Sequence, residues 1–138
     1  MNYTMQVHGA CFCGSIAFEA LVDPKNVTIC HCTACQNLTG SAYRVTVPAK
    51  AQDFHLIQGS PKIYIKLADS GNKRALAFCV NCGSPLYSHA DVDNPKSYGL
   101  RVGCLQEREA LVPSKRIWCE SALKWSNDLS GIAKFEQE

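Results

Sequence analysis

Nine cysteines stand out among the 138 residues, and seven of them fall in tight groups: Cys11-Phe12-Cys13, Cys30-His31-Cys32-Thr33-Ala34-Cys35 and Cys79-Val80-Asn81-Cys82. Cysteines one or two residues apart rarely meet the Cα separation of about 5.5 Å that a disulfide asks for. They are better placed to converge on a metal ion. A structural zinc closes its tetrahedron with four protein ligands, whereas a catalytic zinc keeps three and an open position. Seven divides into four and three, so the count predicts one closed and one open site. Cys11-x-Cys13-Gly14 and Cys79-x-x-Cys82-Gly83 share a trailing glycine, which permits the tight turn that aims backbone N–H groups at sulfur. Pairing them clips a loop of about 65 residues and turns metal binding into folding free energy. Cys30, Cys32 and Cys35 then remain, with a fourth position for water or substrate. A second partition stays open from spacing alone: Cys32, Cys35, Cys79 and Cys82 as a zinc ribbon, with Cys11, Cys13 and Cys30 left over.

Other candidate residues carry weaker signals. His31 sits inside the triplet, but adjacent side chains in an extended turn point apart. It is expected to pack locally or to act as an acid, base or substrate contact rather than as a ligand. His8, His55 and His89 have no partners at ligand spacing and read as surface or strand residues. Cys104 and Cys119 read as core thiols, since free cysteine packs as a small hydrophobe. Arg44, Arg74 and Arg101 read as solvated strand residues that could also hold a carboxylate. Trp118 and Trp125 are expected as core anchors or pocket walls. The Lys115-Arg116 pair is too short for a nucleic-acid patch.

Strands must position these groups. Gly14 to Val22 alternates, with Ile16, Phe18, Ala20 and Val22 on one face, as a half-buried strand does. Asn26 to Ile29 is a short strand delivering Cys30, and residues 32–39 suit one short helical turn. Tyr43 to Val47 alternates and is expected to stop at Pro48. Further strands are expected at Phe54–Ile57, Lys62–Leu67, Arg74–Phe78, Leu86–His89, Tyr98–Cys104 and Ile117–Trp118, with residues 1–8 as a loose lead-in. Short strands between regular turn signals predict a single mainly-β domain of antiparallel strands over 1–138, its core about 9–135. The composition is 46% hydrophobic and 19% charged, with a net charge of +2. That excludes disorder and gives no argument for a nucleic-acid partner. The longest apolar run, Ala75 to Val80, is six residues, where a membrane helix needs about 20. The odd cysteine count, and the lack of Lys or Arg before Lys25, point away from secretion and toward a reducing cytoplasm.

Gly9-Ala10-Cys11-Phe12-Cys13-Gly14, Cys30-His31-Cys32-Thr33-Ala34-Cys35, Thr39-Gly40-Ser41, Gly59-Ser60-Pro61, Phe78-Cys79-Val80-Asn81-Cys82-Gly83-Ser84 and the tail from Pro113 to Trp125 together resemble the glutathione-dependent formaldehyde-activating enzyme family, also called the centromere-protein-V-like family. The resemblance implies a zinc-bearing β-tent fold. It implies a structural zinc on Cys11, Cys13, Cys79 and Cys82, and a catalytic zinc on Cys30, Cys32 and Cys35. With three ligands and one position for exchange, that second ion is expected to be the labile one, and His31 is a candidate catalytic residue inside the triplet. The implied activity is a carbon–sulfur lyase that joins formaldehyde to glutathione. The expected partner is therefore a small-molecule thiol such as glutathione, with neither nucleic acid nor membrane. The alternative expectation is a zinc-stabilised binding module without turnover.

Overall fold

A computed structural model describes residues 2–138. Nine strands and one short helix account for most of its regular structure: β1 (Met5–Ala10), β2 (Ala17–Val22), β3 (Thr28–Cys30), α1 (Thr33–Thr39), β4 (Arg44–Gln58), β5 (Lys62–Leu67), β6 (Lys73–Phe78), β7 (Pro85–Ala90), β8 (Ser97–Arg101) and β9 (Lys115–Ile117). All nine join one sheet in the order β1-β2-β4-β8-β7-β6-β5, with β3 against β4 and β9 against β3. Every pairing is antiparallel except that of β3 with β9. The mainly-β expectation holds. No helix among the described residues is long and apolar enough to cross a membrane.

Alternation sorts the side chains onto two unlike faces. Val7, Phe18, Ala20, Val22, Val47 and Leu100 are buried on one of them. Phe54 stacks on Tyr98 at 4.3 Å between ring centroids and meets Tyr87 edge-on at 4.8 Å. Gly9 belongs to this packing, because a Cβ there would stand 2.1 Å from the tip of the Phe18 ring. The opposite face carries the register partners Cys30 and Arg44, Thr46 and Arg101, Gly99 and Ser88, and Lys66 and Arg74. This second face is polar and cationic, and the cysteine triplet stands at its β3 end.

Three boundaries differ from the expectation. The lead-in is not loose throughout, since Met5–Ala10 forms β1 against β2. Pro48 does not end its strand; β4 runs unbroken through it and absorbs the separate strand expected at Phe54–Ile57. The reason lies in the pairing. Thr46 pairs with Thr28 of β3 and Ala49 with Val22 of β2. Pro48 thus falls at the junction where one edge of β4 changes partner, where a missing N–H breaks no ladder. Finally, β8 stops at Arg101, and residues 102–104 form a 3-10 turn, so Cys104 is not a strand residue.

Candidate functional site

Two turns, each ending in a left-handed glycine, bring four sulfurs together. After β1, the Gly14 N–H donates to the Cys11 carbonyl at 3.0 Å, with φ +80° at Gly14. After β6, the Gly83 N–H donates to the Cys79 carbonyl at 2.7 Å, with φ +79° at Gly83. Both turns need a conformation that glycine adopts without steric cost. The sulfurs of Cys11, Cys13, Cys79 and Cys82 all lie within 4.8 Å of one another. Backbone N–H groups of Ile16, Cys13 and Cys82 point at the sulfurs of Cys11, Cys82 and Cys79, at 3.3, 3.5 and 3.5 Å. Ser15 and Ser84 complete the surround. The Ser15 hydroxyl lies 3.2 Å from the Cys13 sulfur and 3.5 Å from that of Cys79. The Ser84 hydroxyl lies 3.2 Å from the Cys82 sulfur and accepts the Phe12 N–H at 2.9 Å. Hydrogen bonds from Ser15 and Asn81 bring the Cys13 thiol down to about 5, and those from Ser84 bring Cys82 down to about 7. Cys79 shifts the other way: against hydrogen bonds from Ser15 and the Cys82 N–H, burial and the Cys82 sulfur raise it. The surround thus favours the thiolate, the form that binds metal, at Cys13 and Cys82. The sequence reading missed the two serines. Their signal was the shared Cys-Gly-Ser, at 13–15 and 82–84.

The second group is local. Cys30 ends β3, Cys32 caps α1 with its sulfur accepting the Cys35 N–H at 3.3 Å, and Cys35 lies buried in the first turn. These three sulfurs also lie within 4.8 Å of one another. Gly40, at φ 64°, ends the helix with its N–H bonded to the carbonyls of Asn37 and Gln36. Gln36 ties the helix to its surroundings by donating to the His31 carbonyl at 2.8 Å and the Ser121 carbonyl at 3.0 Å. Burial, with the hydrogen bond shared with Cys32, pushes the Cys35 thiol up to about 12. Cys32 shifts the other way; against burial, which raises it, hydrogen bonding with Cys35 and Cys30 and the Lys66 charge bring it down. Three sulfurs this close cannot all ionise without a cation among them, and a bound cation inverts that balance. Both groups can therefore hold a metal ion, and all-sulfur donor sets of four and three suit zinc. The alternative ribbon of Cys32, Cys35, Cys79 and Cys82 is not a grouping the fold makes.

His31 stands apart from the three sulfurs. Its ring is buried, with 1% exposure, and meets Tyr43 edge-on at 5.3 Å between centroids. Arg116 Nε donates to its Nε2 at 3.1 Å, which leaves the proton on Nδ1, an atom with no partner. Burial and then the Arg116 charge lower its pKa. The remaining expectations need correction in part. Cys104 is half-buried, as a packed thiol, but Cys119 is exposed. Trp118 and Trp125 are 57% and 56% exposed rather than core anchors. Both lie in the tail, which is built from 3-10 turns after β9 and presents no layer under which a large ring could be buried. Arg44, Arg74 and Arg101 are not freely solvated; all three are partly buried on the wall beside the triplet.

The profile of the glutathione-dependent formaldehyde-activating enzymes matches residues 6–121. The chain belongs to this family. The match spans both sulfur groups and all of the sheet but its first residue, Met5. A crystal structure of a Rhodobacter sphaeroides protein is similar in fold, with a TM-score of 0.61 and 19% identity over 79% of this chain and 98% of that one. Members of the glutathione-dependent formaldehyde-activating family are enzymes that act on glutathione and formaldehyde, so a small thiol is the kind of partner this fold serves.

Proposed function

We propose that this protein is a zinc-dependent carbon–sulfur lyase of the cytoplasm, joining a small thiol such as glutathione to formaldehyde. Cys11, Cys13, Cys79 and Cys82 hold a structural zinc, and Cys30, Cys32 and Cys35 hold the catalytic one. The observation that supports this most is the three-sulfur group, short of one ligand and facing a cleft, in a chain of this family. Zinc bound there offers a fourth position in which a substrate sulfur is kept deprotonated at neutral pH. In the reaction, the thiol sulfur adds to the aldehyde carbon. One S–C bond forms, the C=O π bond opens onto oxygen, and the thiol proton ends on the new hydroxyl, with no oxidant or reductant. The cleft contributes proximity and orientation. Water in the cleft carries the thiol proton to the new hydroxyl; His31, expected from the sequence as an acid or base, is buried outside the cleft lining with its Nε2 held by Arg116. Thiols at such spacing must stay reduced to bind metal, which favours a reducing compartment.

The test is zinc content, melting temperature and adduct formation, the last followed by NMR with glutathione and formaldehyde. The wild type is expected to carry two zincs and form adduct above the uncatalysed rate. Cys32→Ser should carry one zinc, stay folded and lose turnover. His31→Gln should keep both zincs and its rate; a loss of roughly tenfold or more at unchanged zinc content would assign the proton to His31 instead. A Cys32→Ser protein of full activity overturns the catalytic assignment. Two zincs with no turnover would make the chain a zinc-stabilised binding module.

A further inference from the structure

A cleft of about 440 Å³ opens on the polar face of the sheet, with Cys30 and Cys35 at one end. Arg44, Arg74, Arg101, Lys66 and Lys115 line it, and no Asp or Glu does. Among the described residues, neither ion pair involves any of these five; the pairs are His8 with Glu107 and Lys134 with Glu136. The guanidinium groups meet hydroxyls instead, Arg101 donating to Thr46 and Arg74 to Ser88, both at 3.1 Å. Arg44 Nε is buried with no partner at all.

Such an arrangement costs stability. Like charges repel, and the anion within reach is the sulfur triplet, where Cys35 faces Arg44 and Arg101. Three thiolates with one divalent ion carry a single negative charge against five cations, so the guanidinium groups give up hydration for little return. The floor beneath them is kept shallow. A Cβ on Gly99 would come within 3.1 Å of Thr46 and 3.3 Å of Ser88, and 3.9 Å from the Arg101 guanidinium. Space and positive charge therefore coincide, next to three sulfurs. Guanidinium forks match carboxylates in shape as well as charge.

We infer that the cleft selects its thiol by acidic charge: the substrate carries two or more carboxylates, held by Arg101, Arg74 and Arg44, while its sulfur lies at the triplet. This rests on the thiol reading above and adds the substrate class to it. The cleft reads charge rather than peptide. Mercaptosuccinate, a dicarboxylate thiol without a peptide bond, should be accepted, and glutathione dimethyl ester should be poor. The positively lined cleft also favours the thiolate over the thiol.

The experiment is calorimetric binding to the zinc-loaded protein without aldehyde, followed by KM and kcat with formaldehyde. Mercaptosuccinate should bind at least about tenfold more tightly than 2-mercaptoethanol, and glutathione than its dimethyl ester. Arg101→Gln and Arg74→Gln should each shrink that preference by roughly tenfold, through KM rather than kcat. Their melting temperatures should hold or rise, because a repulsion is relieved; a purely structural arginine would lower them. The inference falls if the neutral and acidic thiols bind alike, or if the variants weaken both equally and melt earlier. Charge-selective binding without turnover leaves the inference standing and removes the proposed activity. Turnover without charge preference does the reverse.

Discussion

At the residue scale, the chemistry was legible because cysteine is scarce and its spacing constrained. The seven clustered thiols could be read from the chain directly, and their grouping followed from the repeated trailing glycine. Cys82 tests the structural half. Its sulfur meets the Cys13 N–H and the Ser84 hydroxyl, and on the proposed reading Cys82→Ser also removes a zinc ligand and leaves its neighbours' charges uncompensated. We expect unfolding, aggregation or a large fall in melting temperature, since structural zinc contributes on the order of 10 kcal/mol in small domains. A Cys82→Ser chain with normal thermal unfolding would remove the structural role. What the sequence hid was the company each residue keeps. Arg44, Arg74 and Arg101 lie on three different strands, so nothing local reveals that they converge. Trp118 and Cys119 look like core residues by type, yet the tail has no layer to bury them.

At the element scale, alternation found β5, β6 and β7 within a residue, and β2 with its end exact but its start three residues early, because Gly14 to Ile16 belong to the turn after β1. It missed β1, where Met5 and Val7 are the only large apolar residues of six and Gly9 contributes none. Its place is fixed by long-range contacts that no local pattern shows. One is the tie between His8 and Glu107: the His8 backbone N–H donates to Glu107 at 2.8 Å, and the ring Nδ1 meets the other carboxylate oxygen at 2.7 Å. The hydrogen bond to Glu107 raises His8 above its ordinary 6.5. Against burial, which raises it, hydrogen bonds from His8 hold Glu107 below 4.5. The raised histidine contributes stability that is complete below 6.5 and is lost as pH rises through its folded value. The lowered carboxylate contributes stability that is present above 4.5 and is lost as pH falls through its folded value. The pair is therefore strongest between those two values. The melting-temperature loss in Glu107→Gln should be larger at about pH 5.5 than at about pH 8, though modest for an exposed pair. Equal losses at both would contradict the tie.

At the scale of the whole molecule, charge is unevenly spent. The formal charge is +2, and counting seven thiolates with two divalent ions takes it slightly negative. A near-neutral body with a positive cleft focuses field at one place and leaves little general attraction to phosphate backbones. The two sulfur groups also differ in kind. One spans β1 to β6 and is closed by four sulfurs. The other lies within six residues and has three. On slow addition of a chelator, zinc should leave in two phases, and the melting temperature should fall only with the second. Release of both ions in a single phase, with unfolding, would show that the sites are not independent.

The parallel pairing of β3 with β9 has a consequence in time. Thr28, Ile29 and Cys30 align with Lys115, Arg116 and Ile117, and the Ile117 carbonyl accepts the His31 N–H at 3.0 Å. The four-sulfur site can assemble once residue 84 has left the ribosome. The triplet must wait for a strand made some thirty residues later before its outer flank is covered. A nascent chain would thus hold its structural ion before the reactive thiols have their final shape, and contacts this distant in sequence form slowly. A chain ending at residue 112 should keep one tightly held zinc, while Cys30 reacts with a thiol reagent much faster than in the full protein. Equal reactivity in the two would mean that β9 does not shield the triplet.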